Sequence, residues 1–334
     1  MSTDVRTGLV VRNLVVDVAT RHGWSEVLHG VSFEIAPGET LGLVGESGCG
    51  KSITAMSILR LLPRRSARIR SGEIVLDGID LTGLTERELR RVRGDQVSMI
   101  FQEPMTSLDP AFTVGDQIAE MVRRHRGVSR AEARRRAVEL IDRVGIPEPE
   151  RRATHYPYQF SGGMRQRVMI AMAISCQPTL LIADEPTTAL DVTVQAQILG
   201  LLRQLGQEHA MSILLVSHDL GVIAGNASRM AVMYAGEIVE GGSRRDILGA
   251  PQHPYTDALL RSLPSRSEGG RLASIPGVVP PLGDLPAGCL FGPRCGHFDE
   301  ALCGRQRPGL RDHTDGRGVR CARLGDLTLT GGVP

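Results

Sequence analysis

The stretch GESGCGKS, residues 45–52, combines glycines, a lysine and a serine in a pattern typical of phosphate binding. Its glycines let the backbone turn N–H groups toward one point, and these amides form an anion cradle at a helix N-terminus. We expect Lys51 to place its charge between β- and γ-phosphates and Ser52 to ligate Mg²⁺. Lys51 is the chain's only lysine, which marks a position where a guanidinium does not replace an ammonium. The predicted nucleotide contacts are Gly45, Ser47, Gly48, Cys49, Gly50, Lys51, Ser52 and Ile53.

Two acidic residues end a second informative stretch, LLIADEP at 180–186. Its apolar residues predict a buried strand, and Asp184 and Glu185 stand at the strand's carboxyl end, where α/β sheets carry their chemistry. Asp184 suits the Mg²⁺ shell, and Glu185 is placed to polarise an attacking water. The alternative is a strand followed by an acidic helix cap. Together with the phosphate-binding pattern, the pair indicates hydrolysis of a nucleoside triphosphate.

Cysteine chemistry is concentrated at the C-terminal end, where Cys289, Cys295, Cys303 and Cys321 follow one another in a short segment. Four thiolates suit either a tetrahedral zinc ion or a four-cysteine iron–sulfur cluster, and the spacing lacks the C-x2-C pairs common in zinc sites. The alternatives are two disulfides or unlinked buried thiols. A small segment rich in proline and glycine needs a cross-link for stability, which favours a bound metal.

The elements that must position these residues alternate between strands and helices. Strand patterns occur at 9–18, 31–35, 40–44, 73–77, 97–101, 179–184, 212–216 and 229–234. Residues 114–175 instead predict consecutive helices, one of them beginning at a capping box of Ser129 and Glu132 and ending at Gly145. We therefore predict an α/β nucleotide-binding fold, residues 1–250, with a helical insertion at about 114–175. Residues 251–334 are predicted to form a small C-terminal extension reached through an extended arm, 264–293.

Composition narrows the classes of function. The net charge is only +2 and no basic run occurs, so nothing indicates a nucleic acid partner. Neither an export signal nor an apolar stretch of about 18 residues is present, so we expect a cytosolic chain with reduced thiols.

The stretch FSGGMRQRVMIAMAI, residues 160–174, resembles the signature motif of ABC-type ATPases. The phosphate-binding pattern, LLIADEP, TTALD at 187–191 and LLVSHD at 214–219 match the same family in order and spacing. The resemblance covers residues 9–250 and implies the P-loop ABC nucleotide-binding fold. It also implies a head-to-tail pair of ATPase domains, in which ATP lies between the P-loop of one chain and Ser161, Gly162 and Gly163 of the other.

The resemblance assigns further roles residue by residue. Gln102 matches a glutamine that joins the Mg²⁺ shell and senses the γ-phosphate, Asp191 matches the D-loop aspartate, and His218 matches a histidine that contacts the γ-phosphate. The family usually stacks adenine on an aromatic residue, and here Val18 stands at that place. Trp24 or His22 is the possible substitute, and the alternative for Trp24 is simple packing against a loop.

The sequence around the motifs is similar to that of the ATP-binding subunits of bacterial dipeptide and oligopeptide importers. Three segments show this resemblance: QEPMTSLDPAFTVGDQI at 102–118, YPYQFSGGMRQRVMIAMAI at 156–174 and HPYTDALLRSLP at 253–264. In that group the tail cysteines are associated with a [4Fe–4S] cluster, which favours iron over zinc here. The group also handles nickel and other small solutes.

The implied partners are a second ABC ATPase subunit, two permease subunits and, through the complex, a substrate-binding protein. The implied location is the cytoplasmic face of the membrane, and residues 102–118 are expected to contact the permease. Two other readings are a soluble non-transport ABC ATPase and a regulatory module that binds ATP without turnover. Glu185 and His218 favour turnover.

Overall fold

The computed structural model describes residues 8–102, 107–188, 190–263, 274–312 and 317–329. The chain divides into two compact units. The first draws its described residues from Met1–Leu9, Ile35–Glu39 and Gly83–Leu214, and the second from Val10–Glu34, Thr40–Thr82 and Leu215–Pro334.

Strands and helices alternate along most of the described chain, as the sequence predicts. The strands are β1 Leu9–Thr20, β2 Gly23–Ile35, β3 Thr40–Val44, β4 Ala67–Leu76, β5 Ile79–Asp80, β6 Val97–Ile100, β7 Leu180–Asp184, β8 Ser212–Ser217, β9 Arg229–Tyr234, β10 Glu237–Ser243, β11 Arg311–Asp312 and β12 Gly318–Val319. The helices are α1 Lys51–Ile58, α2 Glu86–Val92, α3 Val114–Arg126, α4 Arg130–Arg143, α5 Pro149–Arg152, α6 Gly162–Ile174, α7 Val192–His209, α8 Leu220–Asn226, α9 Arg244–Gly249, α10 Pro254–Arg261 and α11 Glu300–Cys303. Short 3-10 turns lie at Pro157–Gln159 and Gly292–Arg294.

The first unit joins a parallel strand pair to the predicted run of helices. β6 pairs with β7 in register Val97 to Leu180, and every residue of β7 is buried. The helices α3 to α6 follow one another without an intervening strand. Ser129 caps α4 by accepting a hydrogen bond from the Glu132 amide, and the helix ends before Gly145, whose φ is +73°. The predicted serine cap and glycine stop are therefore present, whereas the Glu132 carboxylate accepts from Arg135 and Arg136.

The second unit contains two sets of strands. One is a four-stranded sheet in the order β2, β1, β4, β5. In the other, β3 pairs in parallel with β9, and β9, β10, β12 and β11 continue in antiparallel pairs. The C-terminal segment thus adds its strands to the sheet that carries β3, the strand before the phosphate-binding loop. The division of the chain near residue 250 stays a prediction, as does the arm at 264–293, whose first ten residues lie outside the described ranges.

No helix among the described residues is long and apolar enough to cross a membrane.

Candidate functional site

The phosphate-binding loop connects β3 to α1 in the second unit. Gly48 and Gly50 have φ angles of +80° and +106°, a region that side chains disfavour. Gly45 is required for a different reason, because a Cβ there would lie 2.1 Å from the carbonyl oxygen of Met233. Cys49 is buried, and that burial raises the pKa of its thiol. The glycines thus have the predicted backbone freedom, and the cysteine side chain packs as an uncharged group.

Lys51 lies inside the loop rather than extending into solvent. Only 5% of it is exposed, and its Nζ donates to the carbonyl oxygens of Gly45 at 2.8 Å and Glu46 at 3.0 Å. These contacts hold the ammonium beside the backbone that is predicted to bind phosphate. Ser52 and Ile53 follow in the first turn of α1 and are half-buried, whereas Ser47 is exposed at the loop.

Glu46 of the loop is held by residues from the C-terminal segment, which the sequence did not predict. Its amide donates to the hydroxyl of Tyr255 at 3.0 Å. Its carboxylate accepts from both terminal nitrogens of Arg294, at 2.6 and 3.0 Å. Tyr255 lies in the HPYTDALLRSLP segment, which indicated a family resemblance but no contact with the phosphate-binding loop.

The predicted catalytic carboxylate lies in the first unit. Glu185 directly follows β7, is 9% exposed and has a φ of +46°. A non-glycine residue in this left-handed region is unusual and costs conformational energy, and such residues cluster at functional sites. Its Oε2 accepts from the Gln102 amide at 3.0 Å and from the Thr188 hydroxyl at 2.8 Å. The structure therefore brings Gln102 and Glu185 together, with Thr188 as an additional partner, while Asp184 ends the buried strand beside them.

The signature residues stand at a helix N-terminus. Ser161 is the N-cap of α6 and accepts from the Met164 amide at 3.4 Å, and Gly162 and Gly163 form the first turn. A Cβ on Gly163 would lie 2.7 Å from Cγ1 of Val194, so close packing against α7 requires a glycine there. This N-terminus combines free amides with the positive end of a helix dipole, an arrangement suited to phosphate.

Asp191 and His218 occupy the ends of other elements. Asp191 is the N-cap of α7, and its Oδ1 accepts from the Val194 amide at 2.9 Å. This bond gives Asp191 a structural role regardless of any contact across a dimer. His218 is exposed directly after β8.

The candidates for adenine contact lie on the four-stranded sheet. Val18 is half-buried in β1, and Trp24 is the second residue of β2, with 44% of its surface exposed. The guanidinium of Arg68 stacks on Trp24 at 4.3 Å from the ring centroid. Arg68, from β4, thus covers one face of the ring, and the choice between adenine contact and packing against a loop stays a prediction.

The four C-terminal cysteines share one pocket of the second unit. Phe291, Phe298, His253 and His297 also line this pocket, which contains Cys289, Cys295, Cys303 and Cys321. Burial raises the pKa of Cys289 to about 11 and raises the pKa of Cys295 and Cys321. None of the six cysteines, all of which are described, forms a disulfide. In the described ranges, no three His, Cys, Asp or Glu side chains are arranged to hold a single metal ion. The thiols share a pocket without forming a ready ligand set for one ion.

A groove on the first unit includes part of the segment predicted to contact a permease. Phe112, one of its lining residues, is a large apolar side chain that is 57% exposed. Residues 103–106 of the predicted segment lie outside the described ranges. The groove is lined by Phe112, Asp116, Gln117, Ala119, Glu120, Met121, Arg123, Arg130, Arg134 and Met172.

Comparison with sequence families gives two matches. Residues 28–188 match the family described as ABC transporter. Residues 239–303 match the family described as the C-terminal region of oligopeptide/dipeptide transporters. The second match includes three of the four cysteines in the pocket and ends before Cys321.

Individual proteins match over nearly the whole chain. A Brucella melitensis protein described as a peptide import ATP-binding protein is 51% identical over 331 residues, covering 96% of this chain and 98% of its own length. The dipeptide transport ATP-binding protein DppD of Bacillus subtilis is 49% identical, covering 94% of this chain and 93% of its own. Among solved structures, a dimeric ATP-binding cassette in a post-hydrolysis state with ADP and phosphate is 30% identical, with a TM-score of 0.64. That match covers 71% of this chain and 99% of the cassette.

Proposed function

Because this chain belongs to the ABC transporter family of ATP-binding subunits, and its relatives are peptide import proteins, we propose that it powers import of dipeptides or oligopeptides through a membrane permease. The chain is an ATPase of that family. The main structural support for ATP hydrolysis by this chain is Glu185. Its backbone has a φ of +46°, and its carboxylate accepts a hydrogen bond from Gln102 at 3.0 Å. A carboxylate fixed in this way is suited to orient water for attack on a phosphate.

The proposed cycle uses residues of two chains. The amides of the phosphate loop and Lys51 bind the β- and γ-phosphates, while Ser161 at the start of α6 completes the site of a partner ATPase. Mg²⁺, when bound, neutralises charge on the phosphates, and Ser52, Asp184 and Gln102 are the residues that would hold it. A similar cassette, described as dimeric with bound ADP and phosphate, supports a cycle that uses two chains.

Four residues complete the proposed site. Glu185 accepts a proton from the attacking water, and His218 contacts the γ-phosphate. Asp191, beyond its capping bond, lies at the junction of the two ATPases. Val18 lies beneath adenine, and Trp24 is the alternative.

Transport by the assembled complex tests the peptide assignment. The chain is expressed with its permease and substrate-binding protein, reconstituted in vesicles and supplied with internal ATP and external labelled dipeptide, oligopeptide or Ni²⁺. ATP-dependent uptake of a peptide is the expected result. Uptake of Ni²⁺ alone would transfer the assignment to the solute importers of the same group. ATP hydrolysis that stays independent of every permease would favour a soluble ABC ATPase.

We propose that the four-cysteine pocket holds a [4Fe–4S] cluster, with zinc as the alternative. The number and type of donors suit such a cluster, since four thiols line one pocket with Phe291 and Phe298 and cysteine thiolates are its usual ligands. Because no three of the described side chains are arranged around a single ion, the thiols would have to converge when the cluster binds. The cluster would act as a structural cross-link. Anaerobic purification with metal analysis and a visible spectrum provides the test. A colourless protein with one zinc would show the alternative, and a protein without metal would refute both.

We propose that the groove beside Phe112 receives a short permease helix and holds the chain at the cytoplasmic face of the membrane. An exposed phenylalanine at the rim of a groove is typical of helix recognition. The basic and acidic rim, with Arg123, Arg134 and Asp116, would orient that helix.

A further inference from the structure

Glu46 is held at three different groups. Its amide N–H donates to Tyr255, its carboxylate accepts two hydrogen bonds from Arg294, and its carbonyl oxygen accepts one from Lys51. The first two partners come from the C-terminal segment and the third is the phosphate-binding lysine itself. A displacement of Glu46 therefore shifts the backbone that orients Lys51 and the loop amides.

Arg294 is fixed by more than its ion pair with Glu46. Its Nε donates to the carbonyl oxygen of Pro276 at 2.7 Å, and its guanidinium lies 5.8 Å from the ring centroid of Tyr234. Only 4% of its side chain is exposed. A guanidinium held at several points keeps its direction, so its two bonds to the carboxylate define where Glu46 stands.

Tyr255 is also rigidly placed. His253 caps α10 by accepting from the Tyr255 amide at 3.0 Å, and Glu240 accepts from the amides of Gln252 and His253 at 2.8 and 3.0 Å. The ring of Tyr255 packs against those of Tyr234 and Phe291 with centroids 4.7 and 5.3 Å away. The hydroxyl that receives the loop amide is therefore built into a buried aromatic cluster.

The turn at residues 289–295 contributes both to the cysteine pocket and to the contact with the phosphate-binding loop. Phe291 and Arg294 lie between Cys289 and Cys295, and Arg294 is the direct neighbour of Cys295. The backbone of this turn is closed by bonds from the Gly292 and Cys295 amides to the carbonyl oxygens of Cys289 and Gly292. A change in what holds the two cysteines must move this turn, and Arg294 with it.

We propose that Arg294 and Tyr255 are positioning residues for the phosphate-binding loop, and that Arg294 makes ATP affinity depend on the integrity of the four-cysteine turn. The inference rests on the proposed function, because it requires the loop to bind ATP. It predicts a change in ATP affinity with little change in the rate at saturating ATP, since neither residue is placed to touch the transferred phosphoryl group.

Equilibrium binding of a fluorescent ATP analogue to the full-length chain is the first measurement. We expect Arg294→Met to raise Kd about tenfold, the equivalent of about 1.4 kcal/mol, with partial recovery in Arg294→Lys. Glu46→Gln tests the same ion pair from the loop side and leaves every residue of the C-terminal segment unchanged. The variant that combines Arg294→Met with Glu46→Gln should have a Kd no higher than that of the single variant with the higher Kd, because the two substitutions remove the same ion pair. Arg305→Met is the matched control, since Arg305 lies in the same segment, is exposed and does not line the cysteine pocket.

ATPase kinetics of the assembled complex give the second measurement. For Arg294→Met we expect KM for ATP to rise in parallel with Kd while kcat stays within about twofold. A loss of kcat with unchanged KM would overturn the positioning role. Tyr255→Phe removes only the hydroxyl acceptor, and it should raise KM in the same direction by a smaller factor.

Cys295→Ser tests the link to the cysteine pocket. We expect it to raise Kd as Arg294→Met does, with no further rise when the two are combined. An unchanged Kd in Cys295→Ser, with a raised Kd in Arg294→Met, would overturn the link. Unchanged Kd in all variants would overturn the whole inference while leaving the proposed function intact. A wild-type chain that binds no ATP analogue would instead refute the proposed function.

Discussion

Replacing Glu185 by glutamine isolates its charge from its shape. In the native chain, Oε2 of the Glu185 carboxylate accepts hydrogen bonds from the Gln102 amide at 3.0 Å and from the Thr188 hydroxyl at 2.8 Å. The amide of a glutamine can turn its oxygen toward these two donors, so the hydrogen bonds and the backbone at φ +46° can persist. The other terminal atom of the glutamine is then an NH2 nitrogen, which cannot accept a proton from water.

The expected effect on rate follows from that single loss. Removal of one well-placed catalytic group typically lowers kcat by about 10²–10³, or roughly 2.7–4 kcal/mol of transition-state stabilisation. ATP binding should change little, because the phosphate loop and Lys51 are untouched. The variant is therefore expected to accumulate as an ATP-bound dimer with a small residual rate.

Single-turnover hydrolysis and analytical ultracentrifugation with ATP and Mg²⁺ measure the two effects. Thr188→Val is the matched control, because it removes one hydrogen bond to the same carboxylate and keeps the charge. A neutral hydrogen bond contributes about 1 kcal/mol, and one to a charged group about 1.5–3. The Thr188 bond goes to a charged group, so its complete loss would correspond to roughly 10- to 150-fold in rate. Because the bond is present in the ground state as well as in the transition state, we expect kcat in the control to fall by about tenfold or less, below the loss in Glu185→Gln.

Near-normal turnover in Glu185→Gln would refute the role of this carboxylate in catalysis. An equal loss of kcat in Glu185→Gln and Thr188→Val would refute a direct role for the charge of Glu185. It would indicate that only the position of the side chain affects the rate. Loss of ATP binding together with turnover would show that the substitution had disturbed the phosphate site.

Three other changes probe separate parts of the chain. Phe112→Asp should reduce copurification of the permease while ATP binding by the free chain persists, and unchanged assembly and transport would dispose of the docking groove. Gly163→Ala should lower the free energy of unfolding by about 1–3 kcal/mol through overpacking, because the new Cβ would lie 2.7 Å from Cγ1 of Val194; added Val194→Ala should restore part of the loss in a denaturant titration. Burial lowers the pKa of His253 to about 3, so protonation between about pH 6.5 and pH 3 occurs only in the unfolded chain. The free energy of unfolding should therefore fall as the pH drops through this range, by up to about 1.4 kcal/mol per pH unit. His253→Asn keeps a capping oxygen and should flatten that slope, and an unchanged slope would refute the assignment.

Local motifs predicted the site where each role depends on a short stretch of chain. The glycines of the phosphate loop, the carboxylate after β7 and the cap of α4 all follow from neighbours within a few positions. Strand limits were less well predicted, since β2 begins at Gly23 and β4 at Ala67 whereas the patterns began at 31 and 73. Polar residues such as Ser25, Glu26 and His29 interrupt the alternation of β2 on a strand that is largely half-exposed. The alternation therefore weakens although pairing with neighbouring strands continues.

Contacts between distant parts of the chain could not be predicted in the same way. Glu46 and Arg294 are 248 positions apart, and neither belongs to a spacing pattern that singles out the other. Thr188 lies in the TTALD stretch that matches the family, but nothing in that stretch indicates a bond to Glu185. Its bond to Glu185 became visible only once the left-handed turn at Glu185 had been placed.

The concentration of thiols near the C-terminus has a structural context in the second unit. β12 pairs with β10, so the C-terminal segment extends the sheet in which β3 leads into the phosphate loop. Arg317 donates to the carbonyl oxygens of Asp246 and Ala250, tying this segment to the turn before His253. A segment too small to form a core of its own thus gains its fixed position from the sheet and the aromatic cluster of Tyr234, Tyr255 and Phe291. Cross-linking four cysteines there would stiffen the turn that carries Arg294, and the effect of that stiffness would be felt at Glu46.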